Sequence, residues 1–132
     1  MKDFTNVFVY GSLMKGLSNH RTLEGSVFVG EARIRGFRMV SLGAFPGLVC
    51  GNSEIHGEQY YVDPVTLDRL DNLEGNGRFY TRERVDTSFG RAWVYVLPTE
   101  TYGRHREVPD GDWRKYKAEL DALSRERYYA GC

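Results

Sequence analysis

The sequence predicts an α+β domain in which about six short strands form a strongly curved sheet or a small barrel, flanked by two helices. Three observations support this prediction. Short segments rich in β-branched and aromatic residues follow one another along the chain. Glycines interrupt these segments, and two stretches with helical spacing show no regular alternation with them. The length of 132 residues favours a single domain, residues 1–132, with its own core.

The first predicted strand opens directly into a glycine-containing loop. Residues 7–10 are a β-branched and aromatic run typical of a buried strand. The run stops at Gly11 and Ser12, and Gly16 and Asn19 follow. Glycine lets the backbone approach a ligand closely, and successive backbone N–H groups in such a loop can hold an anion. The loop is therefore a candidate anion site, and an ordinary strand-to-loop turn is the alternative.

The middle of the chain predicts several more strands separated by turn residues. Residues 19–23 predict a short helical turn that ends at Gly25. The strand segments that follow are short and bounded by glycine, asparagine or proline, and they are residues 27–29, 32–34, 37–42, 48–50 and 54–62. We expect Gly30 and Gly36 to interrupt the first three of them.

The best-defined helix is predicted immediately after these strands. Asp63 can cap its N-terminus, and Pro64 suits the first helical position. Gly75 supplies the C-terminal stop. The apolar stripe of the helix consists of three leucines at helical spacing, Leu67, Leu70 and Leu73.

The second half of the chain predicts a hairpin and a C-terminal helix. Residues 79–86 and 91–97 predict a β-hairpin joined around residues 88–90, and Pro98 ends it. Residues 99–108 are polar and favour no single element. From Asp112 onward, an amphipathic helix is predicted by four side chains at helical spacing, Trp113, Tyr116, Leu120 and Leu123. We expect the first three of them to pack on the core or to act as a lid.

Glu74 is the candidate catalytic residue. It follows Leu70 by four residues and Leu67 by seven, so it projects from the apolar face of the predicted helix. It also lies in the last turn, where the helix dipole disfavours a carboxylate. Burial and dipole would both raise its pKa and suit it to proton transfer near neutral pH. The alternative is a frayed helix end with Glu74 in water. Asp71, one turn earlier, shares part of this face with expected access to solvent.

Three polar side chains alternate along the first strand of the hairpin. Tyr80, Arg82 and Arg84 would share one face of that strand. There they can hydrogen-bond a polar ligand or orient Glu74. An exposed polar face of the hairpin is the alternative.

Composition disfavours several classes of function. The 18 basic and 18 acidic residues cancel, which disfavours a dedicated nucleic-acid binder. The apolar runs are too short to span a membrane, and the N-terminus shows no leader, so we expect a cytoplasmic protein. Cys50 and Cys132 are expected to be free thiols. The histidines are His20, His56 and His105, and their spacing predicts no metal site.

Two other chemistries have weak support in the first loop. Ser12 lacks the surrounding Gly-x-Ser-x-Gly pattern of an activated serine nucleophile. A phosphate-binding P-loop needs lysine directly after its second glycine, but Leu17 follows Gly16, and Lys15 precedes it. A non-catalytic small-molecule or nucleotide-binding module that uses the loop of residues 11–16 is the alternative function.

These motifs together resemble the γ-glutamylcyclotransferase family, in particular the small branch that includes γ-glutamylamine cyclotransferase and bacterial relatives. The matching pieces are Val-Phe-Val-Tyr-Gly-Ser-Leu-Met-Lys-Gly at 7–16, Asn-His at 19–20, Phe-Pro-Gly at 45–47, Gly-Glu at 57–58, Tyr-Tyr-Val at 60–62, Leu-Asp-Asn-Leu-Glu-Gly at 70–75, Tyr-Thr-Arg at 80–82 and Trp-Val-Tyr at 93–95. They run in order through most of the chain.

The resemblance implies a small mixed β-barrel with flanking helices and no cofactor. It also implies a small-molecule γ-glutamyl substrate that is cleaved to 5-oxoproline and a free amine or amino acid. The family's head-group loop maps onto Tyr10, Gly11, Ser12 and Leu13, and its catalytic acid maps onto Glu74. The segment after residue 97 varies in the family, so the resemblance sets neither the leaving amine nor an oligomeric state.

Overall fold

The computed structural model describes residues 3–130, and their side chains through residue 125. The strands are β1 (Thr5–Val9), β2 (Val27–Ser41), β3 (Pro46–Val62), β4 (Thr81–Thr87) and β5 (Gly90–Val96). The helices are α1 (Pro64–Glu74), α2 (Thr99–Tyr102) and α3 (Trp113–Ala130), with a short 3₁₀ helix at His20–Leu23. Cys50 is a free thiol, as predicted, whereas Cys132 lies outside the described residues.

The strands form one mixed sheet in the order β2-β3-β1-β5-β4. β1 lies at its centre, antiparallel to β3 and parallel to β5. The α+β class is confirmed, but the expected barrel is wrong. Closure would require a hydrogen-bonded ladder between β2 and β4, and in the part of the chain that the structure describes these two strands are the edges of an open sheet.

The sheet has five strands rather than about six, because glycines bend strands that they were expected to end. β2 runs unbroken through Gly30 and Gly36, and the pairing register with β3 shifts beside each of them. Gly36 has φ of 95°, which a side chain rarely tolerates and a bulge often needs. Residues 46–62 likewise form one strand instead of two. The curvature predicted from the glycines therefore lies within the β2–β3 pair.

Helix α1 begins and ends where the sequence predicts. The Asp63 carboxylate accepts a hydrogen bond from the Thr66 N–H at 2.7 Å, and Gly75 adopts the left-handed conformation with φ of 62°. Leu70 is fully buried, so this side of the helix faces the core. Leu73 is 46% exposed, which makes the apolar stripe narrower than its spacing predicts.

The hairpin and the position of the C-terminal helix are also confirmed, although Leu123 of the predicted apolar stripe is 53% exposed. β4 and β5 pair in a regular antiparallel register, from Thr81 opposite Val96 to Thr87 opposite Gly90. Helix α3 starts at the buried Trp113. The ambiguous segment of residues 99–108 contains α2 and then pairs with β2 through a bridge between Glu107 and Val40. No helix in the described residues has the length and hydropathy needed to cross a membrane.

Candidate active site

The loop after β1 is closed by hydrogen bonds between its two ends. The backbone oxygen of Ser12 accepts from the Asn19 N–H at 2.9 Å, and the Ser12 hydroxyl accepts from the Asn19 side-chain amide at 2.8 Å. The Met14 N–H donates to the Gly11 carbonyl at 3.0 Å. An added Cβ at Gly11 would lie 3.0 Å from Cγ of Pro46, a contact that only a shift of the loop or of the proline could relieve. The loop therefore sits tightly against the start of β3.

Three consecutive backbone N–H groups of this loop have no acceptor among the described residues. They belong to Gly11, Ser12 and Leu13, whereas the next two N–H groups donate to the Gly11 carbonyl and to the Glu58 carboxylate. Consecutive backbone N–H groups in a loop can hold an anion. The availability of these three donors supports the prediction of an anion site at residues 11–13.

Glu58 fixes the back of the loop. One of its carboxylate oxygens accepts from the Lys15 N–H at 2.8 Å and from the Tyr60 hydroxyl at 2.9 Å. The other accepts from Arg114 at 3.0 Å, and Arg114 also donates to the Lys15 carbonyl at 2.9 Å. Loop, β3 and α3 are thereby joined through one buried carboxylate. No role for Glu58 could be predicted from sequence, since Lys15 and Arg114 come from distant segments.

Glu74 is the last residue of α1 and is half-buried. Burial raises the pKa of its carboxyl from 4.5 to about 7. Burial is one of the two causes that the sequence predicted for a raised pKa at this position. Its carboxylate has no hydrogen bond or ion pair within residues 3–125. The group can therefore hold or release a proton near neutral pH.

A cavity of about 410 Å³ joins the loop to Glu74. Of the predicted site residues, the structure places six at this cavity: Tyr10, Gly11, Ser12, Leu13, Glu74 and Tyr80. A tight turn after α1 brings Tyr80 beside the acid, because the Tyr80 N–H donates to the Glu74 carbonyl at 3.2 Å. The loop and the acid thus line the same cavity, although Leu13 and Glu74 are 61 residues apart in sequence.

Three buried tyrosines surround Glu74, and each donates its hydroxyl proton to another protein group. Tyr10 donates to the Tyr95 carbonyl at 2.6 Å, and Tyr80 donates to the Pro46 carbonyl at 2.6 Å. Tyr95 donates to the Asp71 carboxylate at 2.7 Å. Burial and the nearby Glu74 raise the pKa of all three phenols, so they stay protonated near neutral pH.

Arg82 lies behind the cavity rather than in its wall. Its Nε donates to the Asp71 carboxylate at 2.9 Å, and its guanidinium lies 4.3 Å from the centre of the Trp93 ring. Arg84 packs on the same ring at 4.3 Å. Strand alternation does put both arginines on one face, but that face is covered by Trp93. The structure thus places Tyr80 at the cavity, and it does not bring Arg82 there.

The remaining wall is apolar, and sequence reasoning gave its members no role in the site. It includes Phe45, Pro46, Leu73 and Phe79. The exposure of Leu73 has its explanation here, since this side chain faces the cavity instead of the core. Tyr95 was also not predicted as a site residue. The two-residue period of a strand places it on the same face of β5 as Trp93, but that period does not show that the face reaches the cavity.

The cavity combines hydrogen-bond donors, an acid of near-neutral pKa and an apolar wall. Such a combination is typical of an enzyme that binds a small molecule and moves a proton. Within the described residues, no group of three or more His, Cys, Asp or Glu side chains is arranged to hold a metal ion. The fold and the cavity together define the class as a small α+β enzyme with a carboxyl group in its site.

Comparison with known proteins identifies the family. Residues 7–115 match the family model described as gamma-glutamyl cyclotransferase, AIG2-like, and the chain belongs to this family. A Vibrio cholerae protein whose name places it with the gamma-glutamylcyclotransferases is 44% identical over 108 residues, which is 81% of this chain and 93% of that protein.

Two further relatives extend the comparison. The gamma-L-glutamyl-butirosin B gamma-glutamyl cyclotransferase of Niallia circulans is 31% identical over 125 residues, which is 86% of this chain and 78% of that protein. The crystal structure of an uncharacterized Pyrococcus horikoshii protein superposes with a TM-score of 0.78 at 30% identity, and the match covers 89% of this chain and 97% of that one. The chain is accordingly an enzyme of the γ-glutamylcyclotransferase type.

Proposed function

We propose that the protein cyclises a γ-glutamyl amide to 5-oxoproline and a free amine, with Glu74 as general acid and base. The observation that carries this proposal is the shared cavity, in which Glu74, with its pKa of about 7, lines the same space as the unpaired N–H groups of residues 11–13. The family of the chain and the name of the Niallia circulans relative support a γ-glutamyl substrate.

The distribution of donors and acceptors supports one orientation of the glutamyl head group. The α-carboxylate fits the loop, because the N–H groups of Gly11, Ser12 and Leu13 have no other acceptor among the described residues. The α-ammonium group fits beside Glu74, because the carboxylate can accept hydrogen bonds and the phenol oxygens of Tyr80 and Tyr95, whose protons are donated elsewhere, can accept them as well. This orientation places the nitrogen that must lose a proton next to the acid.

Ring closure needs neither an enzyme nucleophile nor water. Glu74 takes a proton from the α-ammonium group, and the freed amine attacks the γ-carbonyl carbon, so that a C–N bond forms and the ring closes. The bond from this carbon to the departing nitrogen then breaks. The α-nitrogen loses two protons in all, and the departing amine gains two to leave as an ammonium ion. Holding the chain folded lowers the entropic barrier, and positioned proton transfer contributes typically about 10²–10⁴ in rate.

Replacement of the acid tests this assignment directly. Glu74→Gln keeps the size and shape of the side chain but cannot carry a proton, so 5-oxoproline release from a panel of γ-glutamyl amides should fall by about 10²-fold or more. Glu83→Gln makes the same substitution at an exposed position on β4, and it should keep full activity. Near-full turnover by Glu74→Gln would remove Glu74 from the mechanism. A wild-type protein that released no 5-oxoproline from any amide would remove the proposed reaction.

The nucleotide-binding alternative gains no support from the site. The Lys15 ammonium group lies 5.6 Å from the Phe28 ring centre, and Lys15 is not among the residues that line the cavity. A basic side chain at the phosphates is what a P-loop supplies. We also propose the cytoplasm as the compartment, which fits the exposed free thiol of Cys50.

A further inference from the structure

The Tyr95 hydroxyl differs from the other two phenols at the cavity in what accepts its proton. Tyr10 and Tyr80 donate to backbone carbonyls, whose positions are set by the sheet. Tyr95 donates to a side chain, the Asp71 carboxylate, at 2.7 Å. Asp71 lies on α1 one turn before Glu74, so the acid and the partner of Tyr95 are carried by the same helix.

Asp71 is itself held in place by β4. The Arg82 Nε lies 2.9 Å from the same oxygen atom that accepts from Tyr95. The Arg82 guanidinium is held in turn by its contact with the Trp93 ring, and the Arg82 backbone N–H donates a hydrogen bond to the Asn76 side chain at 3.0 Å. An ionised carboxylate can only accept hydrogen bonds. The Tyr95 hydroxyl is therefore the donor and Asp71 the acceptor in this hydrogen bond.

This arrangement fixes the polarity that Tyr95 presents to the cavity. A phenol has one proton, and once it is donated to Asp71 the oxygen can only accept from the other side. Tyr95 lines the cavity and interacts electrostatically with Glu74. A donor in that position would stabilise the ionised form of Glu74, whereas an acceptor does not. An acceptor there also suits an ammonium group of the substrate.

We propose that Asp71 is a positioning residue that acts through Tyr95, holding the phenol oxygen as a hydrogen-bond acceptor for the substrate's α-ammonium group and withholding its proton from Glu74. This inference rests on the proposed function for the identity of the ammonium group. It also gives Arg82 a role outside the cavity wall, since Arg82 keeps the Asp71 carboxylate turned toward Tyr95.

Of the three phenols that line the cavity with Glu74, Tyr95 is the one that donates its hydroxyl to a charged side chain. Tyr10 comes from the loop after β1, Tyr80 from the turn before β4 and Tyr95 from β5, and the Ser12 and Asn19 side chains complete the polar wall. No Lys, Arg or His side chain is among the residues that line the cavity in the described part of the chain. Asp71 and Arg82 connect to this wall through the Tyr95 hydroxyl, whereas Arg21 and Arg69 line an adjoining pocket that shares Asn19 and Leu73 with the cavity.

Asp71→Asn tests the proposal because it replaces the charged acceptor that Tyr95 and Arg82 share with a neutral amide oxygen, which accepts a weaker hydrogen bond than a carboxylate does. The phenol proton is then held less firmly and can turn into the cavity toward Glu74. We expect kcat/KM for 5-oxoproline release to fall about tenfold, as for the loss of one hydrogen bond to a charged group. The acid limb of the pH profile, where activity rises as Glu74 ionises, should move to lower pH by about one unit. Asp68→Asn, at an exposed position of the same helix, should change neither.

A second variant shows whether the effect passes through the hydroxyl. In a Tyr95→Phe background, adding Asp71→Asn should leave the pH profile unchanged, because no phenol proton remains to redirect. Persistence of the pH shift in that background would overturn the proposal. So would an Asp71→Asn protein that loses stability while its acid limb stays at the wild-type pH.

Direct titration keeps the inference separate from the reaction. The carboxyl signal of Glu74 in carbon-13 NMR reports its ionisation whether or not turnover occurs, and its midpoint should fall in Asp71→Asn but not in the double variant. An inactive wild-type protein with this NMR shift would remove the proposed reaction and keep the control of Glu74 by Asp71. An active wild-type protein without the shift would overturn that control.

Discussion

The pKa of Glu74 predicts how the stability of the fold depends on pH. Burial raises this pKa from 4.5 to about 7, so between these values the folded protein keeps a proton that the unfolded chain has released. One unit of pKa difference corresponds to about 1.36 kcal/mol, and the full shift corresponds to about 3 kcal/mol. This figure is an upper limit, because water reaches part of the half-buried carboxyl.

The sign follows from the state that binds the proton more tightly. The stabilising contribution is fully present below pH 4.5 and is lost as the pH rises through about 7. Glu74→Gln has no proton to lose at this position. Between about pH 4 and about pH 8, the free energy of unfolding of the wild-type protein should therefore fall by up to about 3 kcal/mol relative to that of Glu74→Gln.

Urea denaturation at several pH values in this range measures the difference between the two proteins. Glu83→Gln is the matched control, since Glu83 is exposed on β4, and its difference from the wild-type protein should not vary with pH. Parallel stability curves for the wild-type protein and Glu74→Gln would refute the burial of this carboxyl. They would also remove the physical reason for choosing it as the proton carrier.

Two further predictions concern the loop and the start of α1. Gly11→Ala would place a methyl group 3.0 Å from Cγ of Pro46 and displace the N–H groups of the loop. In steady-state assays kcat/KM should therefore fall by up to about 10²-fold. The midpoint of the thermal melt should change little. Asp63→Ala removes the cap on the Thr66 N–H and should cost about 1 kcal/mol in urea denaturation without changing specific activity.

The elements that the sequence predicted best are those whose signals are local. Asp63 and Gly75 bound α1 because a capping carboxylate and a left-handed glycine act on backbone groups within one turn of themselves. The hairpin of β4 and β5 was predicted for the same reason, since both strands and the two residues between them lie within 16 residues, from Thr81 to Val96. No distant partner has to be known for either prediction.

The continuous strands β2 and β3 could not be predicted from local signals. A glycine such as Gly36 ends a strand or bends it, and the outcome depends on whether a partner strand continues the ladder beyond it. Here β3 continues the pairing with β2 past Gly36. The open form of the sheet has the same origin, because closure depends on whether two edges meet, which no local segment of the sequence encodes.

Within the site, the sequence predicted Glu74 through its place on the helix but placed Asp71 in solvent. Helical spacing tells which way a side chain points, and that was sufficient for Glu74. It does not tell which residues of other elements contact that side chain. Asp71 is contacted by Arg82 from β4 and by Tyr95 from β5. Strand alternation likewise predicted which face of β4 carries Arg82, but it could not predict that the Trp93 ring packs against this arginine.

The site suits a zwitterionic head group without a fixed positive charge in its wall. An arginine or lysine beside Glu74 would lower the pKa of this acid and keep it ionised, so it would release its proton poorly to a departing amine. Among the described residues that line the cavity, backbone N–H groups supply the donors and phenol oxygens the acceptors. In the proposed reaction, the substrate's ammonium group thus brings a positive charge into a cavity whose described lining has no Lys, Arg or His side chain. Its arrival favours the ionised form of Glu74, which is the form that removes the proton and begins ring closure.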